Sequence, residues 1–76
     1  MKILVNGEET FRSRGNNMAI APTSNGYTLE FSVDNTIFSA YGDAIPAGEN
    51  LLISDAVSGM YFRMAGNTDE NVTVRF

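Results

Sequence analysis

The side chains that most often perform catalysis are absent from this sequence or poorly placed in it. Its 76 residues include no histidine and no cysteine, which removes the commonest general base and the thiol nucleophile. Lys2 is the only lysine. The acidic neighbours Glu8 and Glu9, and Asp69 and Glu70, are adjacent in the chain, and adjacent side chains of an extended segment point to opposite faces. We therefore expect no catalytic residue and no enzymatic activity.

Metal and cofactor binding lack a matching motif as well. Zinc sites use Cys or His ligands, which this chain does not have. Residues 67–71 carry oxygen-bearing side chains at alternate positions, as calcium loops do, but Val72 stands where such a loop has glycine. No glycine-rich phosphate loop or dinucleotide fingerprint is present. We expect no metal site and no cofactor, and we interpret residues 67–71 as a turn.

The basic residues include one cluster, Arg12 and Arg14, next to Phe11 and Gly15. An arginine loop beside an aromatic ring can hold single-stranded nucleic acid by charge and stacking. The whole chain, however, has nine acidic against five basic residues and a net charge of −4, a field that repels phosphate and anionic lipid. Nucleic acid is therefore disfavoured as a partner, and the arginine loop is better interpreted as a solvated loop or as one that pairs with acidic groups of a neighbouring protein.

Alternating apolar and polar residues predict β-strands through most of the chain. In residues 27–33, Tyr27, Leu29, Phe31 and Val33 occupy one face and polar side chains the other, which is the period of a half-buried strand. Further strands are predicted at 3–5, 8–13, 18–21, 36–41, 60–65 and 72–76. Residues 50–58 remain open between a strand and a helical turn, since Asn50 and Gly59 could cap a short helix.

Turn residues separate these segments and predict hairpins. Asn6 and Gly7 fit a two-residue type I′ turn. Asp34 and Asn35 tolerate the left-handed conformation and would join two strands. Residues 67–70 would close the last hairpin. Closely spaced short strands of this kind predict a single all-β domain over residues 1–76, a small antiparallel β-sandwich or partly open barrel of six to seven short strands.

The aliphatic run Leu51, Leu52 and Ile53 raises the question of what covers it. Consecutive apolar residues in a strand need cover on both faces. One face can lie on the core. Either residues 18–20 or a loop folds over the other face, or a second protein does. In the second case, the predicted interface comprises Leu51, Leu52, Ile53, Tyr41, Tyr61, Arg12 and Arg14.

Three features resemble those of the small all-β accessory proteins of tailed-phage virions. They are the Ile-Pro-Ala-Gly turn at 45–48, the Ser-Gly-Met-Tyr-Phe strand entry at 58–62 and the Val-Thr-Val-Arg-Phe ending at 72–76. The resemblance implies a structural role on a capsid or tail, with several copies side by side. The partners would be other protein subunits, either further copies or a larger shell protein.

The expected location follows from these interpretations. A virion component would be assembled in the host cytoplasm, and a non-viral protein of this kind would be cytoplasmic, because no secretory signal or apolar stretch of about 20 residues is visible. The alternative function is a soluble binding or inhibitory module. It would be either an OB-like nucleic-acid binder or a phage-encoded inhibitor of a host protein.

Overall fold

Two antiparallel sheets of four strands each face one another in the computed structural model, which describes residues 1–69 and 71–76. The strands are β1 Lys2–Val5, β2 Phe11–Arg12, β3 Met18–Ile20, β4 Thr28–Ser32, β5 Ser39–Ala40, β6 Leu51–Ile53, β7 Tyr61–Ala65 and β8 Val72–Arg75. Sheet A has the order β1-β8-β3-β6, and sheet B has the order β2-β7-β4-β5. The strands at the two ends of each sheet are therefore its edges.

The core lies between the sheets and follows the alternation of the sequence. In β7, for example, Phe62 and Met64 are buried while Tyr61 and Arg63 are only half-buried. The same alternation places Val72 and Val74 of β8 inward. The core consists of Val5, Phe11, Met18, Ile20, Tyr27, Leu29, Ile53, Ala56, Phe62, Met64, Val72 and Val74.

The predicted antiparallel all-β class is confirmed, and the predicted number of strands is wrong. There are eight strands in the described residues, not six to seven, and the sheets do not close into a barrel there. The additional strand comes from the segment 50–58, whose first part forms β6 through pairing with β3. No helix occurs at 1–69 or 71–76, so none there could cross a membrane.

Two of the predicted hairpins are instead crossings between the sheets. The chain passes from β1 in sheet A to β2 in sheet B at Asn6 and Gly7, and only Gly7 has a positive φ, of 59°. It passes back from β7 to β8 after Asn67. The buried Asn67 amide donates to the Gly7 carbonyl oxygen at 3.0 Å, and the Gly7 N–H donates to the Asp69 carbonyl oxygen at 2.8 Å. These two hydrogen bonds therefore join the two crossings. Glu70, the last residue of the turn predicted at 67–70, lies outside the described residues.

The turn predicted at Asp34 and Asn35 is confirmed between β4 and β5, and Asn35 has a φ of 60°. The Asp34 carboxylate accepts hydrogen bonds from the Ser32 hydroxyl at 2.8 Å and from the Thr36 N–H at 2.9 Å. Because the chain bends around this carboxylate, β4 ends at Ser32. Val33 was predicted to face inward and is instead 77% exposed.

The segment after β5 continues along β4 and completes one side of the sandwich. The Tyr41 N–H donates to the Leu29 carbonyl oxygen at 2.7 Å, and Tyr27 and Ile45 exchange backbone hydrogen bonds at 3.0 and 2.7 Å. A Cβ at Gly26 would lie 2.8 Å from the Ile45 carbonyl oxygen, so this close approach requires glycine.

Candidate interaction surface

The aliphatic run forms β6, an edge strand of sheet A, and its three side chains have different surroundings. Ile53 points inward and is 7% exposed, and Leu51 is half-buried against the core. Leu52 points away from the core and is 78% exposed. The interpretation that residues 18–20 cover the run is wrong, because β3 is the neighbour of β6 within the same sheet. The second face of β6 is therefore uncovered at Leu52.

Tyr41 lies on the same flank of the sandwich as β6 and packs against sheet B. Its ring packs edge-on against Phe31 and Phe62, with 5.7 Å between ring centres in each case. Its hydroxyl donates to Asp55 Oδ1 at 2.9 Å, a bond that raises the pKa of Tyr41, as does burial of the ring. Tyr41 thus fixes the position of the chain after β5 relative to the chain after β6.

The flank along β6 carries acidic groups. Asp43, Glu49 and Asp55 line the groove between β6 and the segment after β5, together with Tyr41, and no lysine or arginine of the described residues lines it. These carboxylates were not among the predicted interface residues. The fold brings them together because the segment after β5 and the two ends of β6 meet at this side.

Arg12, Arg14 and Tyr61, the other predicted interface residues, lie on the opposite flank. Arg12 stacks over the Tyr61 ring at 4.7 Å and donates to the Gly59 carbonyl oxygen at 3.2 and 3.1 Å. Arg14 is exposed, and its Nη1 lies 3.2 Å from Met1 Sδ. The seven predicted residues therefore form two groups on opposite sides of the molecule.

A further exposed leucine, outside the predicted interface residues, lies on β1. Leu4 is 60% exposed and points away from the core, whereas Val5 next to it is buried. The alternation of charged Lys2, Ile3, Leu4 and Val5 could have shown that one leucine of this strand faces outward. Leu4 and Leu52 therefore lie at the two opposite edges of sheet A and on its same outer face.

On the outer face of sheet B, an arginine forms an ion pair and stacks on an aromatic ring. Arg63 Nε lies 2.7 Å from Glu30 Oε1, and its guanidinium covers the Phe38 ring at 4.1 Å. A partly exposed pair of this kind adds little stability. These contacts do engage the guanidinium of Arg63 and the Phe38 ring, two groups that a nucleic acid would otherwise contact.

The metal-ligating side chains of the described residues are dispersed. No group of three or more His, Cys, Asp or Glu side chains lies close enough there to hold a metal ion. The Tyr27 hydroxyl is buried without a hydrogen-bond partner at 1–69 and 71–76, and burial raises the pKa of Tyr27 to about 12, with a smaller contribution from Glu49. A phenol with so high a pKa does not act as a base near neutral pH.

Among the described residues, the two edges of sheet A have no pairing strand, and each lies next to an exposed leucine. The groove next to the β1 edge is lined by arginines, and the groove between β6 and the segment after β5 is lined by carboxylates. Such edges bind other polypeptide segments through backbone hydrogen bonds and side-chain pockets. Comparison of the chain with protein-family models, with curated proteins and with solved structures gives no match.

Proposed function

We propose that this protein is a non-catalytic structural or accessory protein that acts through protein–protein contacts. The observation that supports the proposal best is the uncovered outer side of β6, where Leu52 is 78% exposed on an edge strand. Burial of a leucine side chain contributes about 1.5–3 kcal/mol, which is large beside the roughly 5–15 kcal/mol that stabilises a typical domain. A protein partner that covers Leu52 would use this free energy.

Within this role, we infer that the protein is a minor virion component, bound to a capsid or a tail. This assignment rests on the resemblance of the turn at 45–48, the strand entry at 58–62 and the ending at 72–76 to phage accessory proteins. The proteins that the chain resembles are all-β, and an all-β fold is therefore compatible with this assignment. The protein would then act in the virus particle after assembly in the host cytoplasm.

Co-sedimentation with virus particles tests this function. A tagged chain is produced in cells that assemble the virus whose genome carries the gene, and particles are separated on a density gradient. We expect the chain in the particle fraction, a loss of at least about tenfold with Leu52→Lys, and retention with Val33→Lys. Val33 is a suitable control because it is 77% exposed but lies outside both edge strands of sheet A.

Two results would contradict the proposal. Absence of the unsubstituted chain from the particles would overturn the virion assignment. Equal retention of the Leu52→Lys and Val33→Lys variants would show that the β6 surface makes no contact there.

A second candidate is a soluble binding module for single-stranded nucleic acid, and a specific pair of residues favours it. Arg12 stacked on Tyr61 at 4.7 Å presents a cation and an aromatic ring together, with Arg14 close by in sequence. This function requires salt-sensitive oligonucleotide binding that the combined Arg12→Ala and Arg14→Ala substitutions abolish. Binding that is absent, or insensitive to salt, would exclude it. An inhibitor of a host protein would instead form a tight one-to-one complex.

A further inference from the structure

We propose that copies of this chain join head to tail, with β6 of one copy pairing antiparallel to β1 of the next, so that sheet A continues from copy to copy. This inference rests on the proposed contact function and names the partner as a second copy. It follows from the hydrogen-bonding groups, the side chains and the charges that the two edges present.

The free edge of β1 presents the backbone groups of Lys2 and Leu4. The Phe76 N–H donates to the Met1 carbonyl oxygen at 2.9 Å, so the Met1 carbonyl faces β8. In an antiparallel strand, successive residues direct their N–H and C=O groups to opposite sides. Lys2 and Leu4, one and three residues later, therefore direct theirs away from the sheet.

The free edge of β6 presents the backbone groups of Leu52. The Ala21 N–H donates to the Thr73 carbonyl oxygen at 3.0 Å, which turns Ala21 towards β8. Ile20, the preceding residue, then faces β6, where it is paired with Leu51. By the same alternation, Leu52 directs its N–H and C=O groups away from β3 and out of the sheet.

Strand directions allow the two edges to join without turning a copy over. Every neighbouring pair in sheet A is antiparallel and the sheet has four strands, so β6 runs opposite to β1. The β1 of a copy displaced sideways therefore meets β6 in the antiparallel sense. Sheet B also has four antiparallel strands, so β5 and β2 of neighbouring copies approach each other at the same junction.

One register pairs the two exposed leucines. Residues that form a hydrogen-bonded antiparallel pair have their side chains on the same face of the sheet. Leu52 and Leu4 both offer free backbone groups, and both side chains lie on the outer face of sheet A, 78% and 60% exposed. Pairing Leu52 with Leu4 would therefore cover both leucines and keep both copies the same way up.

The same register continues the core across the junction. With Leu52 opposite Leu4, Leu51 comes opposite Val5 and Ile53 comes opposite Ile3. All four are inward-facing apolar residues, of which Val5 and Ile53 are buried and Ile3 and Leu51 are half-buried against the core. A shift by two residues would place Lys2 opposite Leu52 instead, and a shift by one would reverse the faces.

Charge also favours this pairing over the pairing of like edges. The groove between β6 and the segment after β5 is lined by Asp43, Glu49 and Asp55, while Arg75 lines the groove beside Leu52 on the other side of β6. The groove between β1 and β2 is lined by Arg12 and Arg14, and Glu9 is the one acidic residue among the described residues that line it. The proposed register brings Asp55 opposite Met1, which Arg14 contacts. Two β6 edges brought together would instead place acidic groups next to each other, which is unfavourable.

Sedimentation velocity of two blocked variants tests the pairing. Leu4→Lys blocks the β1 edge and leaves β6 intact, and Leu52→Lys does the reverse. We expect the unsubstituted chain to form a concentration-dependent series of oligomers, because head-to-tail contacts need not close. Each variant alone should associate at least about tenfold more weakly. A one-to-one mixture should form a dimer that grows no further, since each copy retains one complementary edge. Val33→Lys should associate as the unsubstituted chain does.

Each alternative gives a different result. A Leu4→Lys variant that dimerises alone would show that two β6 edges pair with each other, and the proposal would be wrong. A monomeric unsubstituted chain at all concentrations would also overturn the proposal. If such a monomer still binds virus particles in the gradient and loses binding with Leu52→Lys, the contact function stands and a shell protein supplies the strand. If the chain is monomeric and does not bind virus particles through Leu52, both the pairing between copies and the proposed contact function are wrong.

Discussion

Single residues hold the loops of this small sandwich in place through buried polar groups. Asn67 joins the two crossings between the sheets, and the Ser13 hydroxyl donates to the Val57 carbonyl oxygen while it accepts from the Met60 N–H at 3.1 Å. With no cysteine and no metal cluster in the described residues to fix its loops, the domain relies on these hydrogen bonds and on its core.

Tyr27 is the residue at which a substitution should increase stability. Its hydroxyl is buried without a partner at 1–69 and 71–76, and such a group costs free energy that phenylalanine avoids. We expect Tyr27→Phe to raise the free energy of unfolding by about 1 kcal/mol at pH 7. Urea denaturation followed by circular dichroism measures the change. A loss of stability would show that the hydroxyl has a partner in solution.

The pH dependence of the same substitution provides an independent test. The pKa of Tyr27 is about 12 in the folded chain, above the ordinary value of about 10. As the pH rises, the Tyr27 hydroxyl therefore loses its proton in the unfolded chain before it does so in the folded chain. The free energy of unfolding is unaffected by this titration below pH 10 and decreases as the pH rises from 10 towards 12. We expect the Tyr27→Phe variant to lose less stability than the unsubstituted chain over this interval. Parallel curves for the two proteins would contradict the assignment.

Asp34 organises the loop between β4 and β5. Its hydrogen bonds from the Ser32 hydroxyl, and then from the Thr36 and Ile37 N–H groups, lower the pKa of Asp34. The stabilisation that the ionised Asp34 carboxylate provides is therefore present above the ordinary pKa of an aspartate. It is lost as the pH falls through the lower pKa of Asp34 in the folded chain. We expect Asp34→Asn to accelerate hydrogen exchange at Thr36 and Ile37 near pH 5, measured by NMR. Unchanged exchange there would show that the carboxylate does not hold the loop.

At the scale of the strands, β6 combines a core position and a surface position in adjacent residues. Ile53 is 7% exposed and Leu52 is 78% exposed. We expect Ile53→Ala to lower the free energy of unfolding by about 2–4 kcal/mol and Leu52→Ala to change it by less than about 0.5 kcal/mol. Urea denaturation at a low protein concentration, where association is absent, measures both. Similar losses for the two variants would show that the faces of β6 are assigned wrongly.

The strands that the sequence predicted well are those with one buried face and sufficient length. In β4, β7 and β8 the alternation of apolar and polar residues extends over four or five residues, and a shift by one residue would expose the core side chains. The two-residue strands β2 and β5 carry too few side chains to show a period. β6 depends on pairing with β3, which is remote in sequence, so residues 50–58 could not be assigned from local pattern.

The same limitation explains why the predicted hairpins at Asn6 and Gly7 and at 67–70 were wrong. Turn residues indicate that the chain changes direction, but not whether it returns to the same sheet. For the interface, three consecutive aliphatic residues did indicate a surplus apolar surface, and Leu52 is its exposed member. The separation of Leu52 and Tyr41 from Arg12, Arg14 and Tyr61 could not be predicted, because it depends on strand order.

For contacts of the whole molecule with other proteins, the uneven distribution of charge matters more than the net charge of −4. Acidic residues line the groove between β6 and the segment after β5, and arginines line the groove between β1 and β2. These two grooves are complementary in charge, although Arg75 also lies beside Leu52. In the part of the chain that the structure describes, both sheets are open and have four antiparallel strands. These properties together support repeated contacts between copies, or one contact with a larger shell that offers a strand of similar character.

Hydrogen exchange at the Leu52 amide tests most directly whether a second molecule covers β6. In the isolated chain this N–H points out of sheet A and lies on an exposed edge strand, so it should exchange fast. We expect its protection, measured by NMR, to rise with protein concentration or on addition of the shell partner, while the Glu30 amide, which faces β7 in the middle of sheet B, remains protected throughout. Rapid exchange at Leu52 under all these conditions would contradict the proposal that this edge is a contact surface.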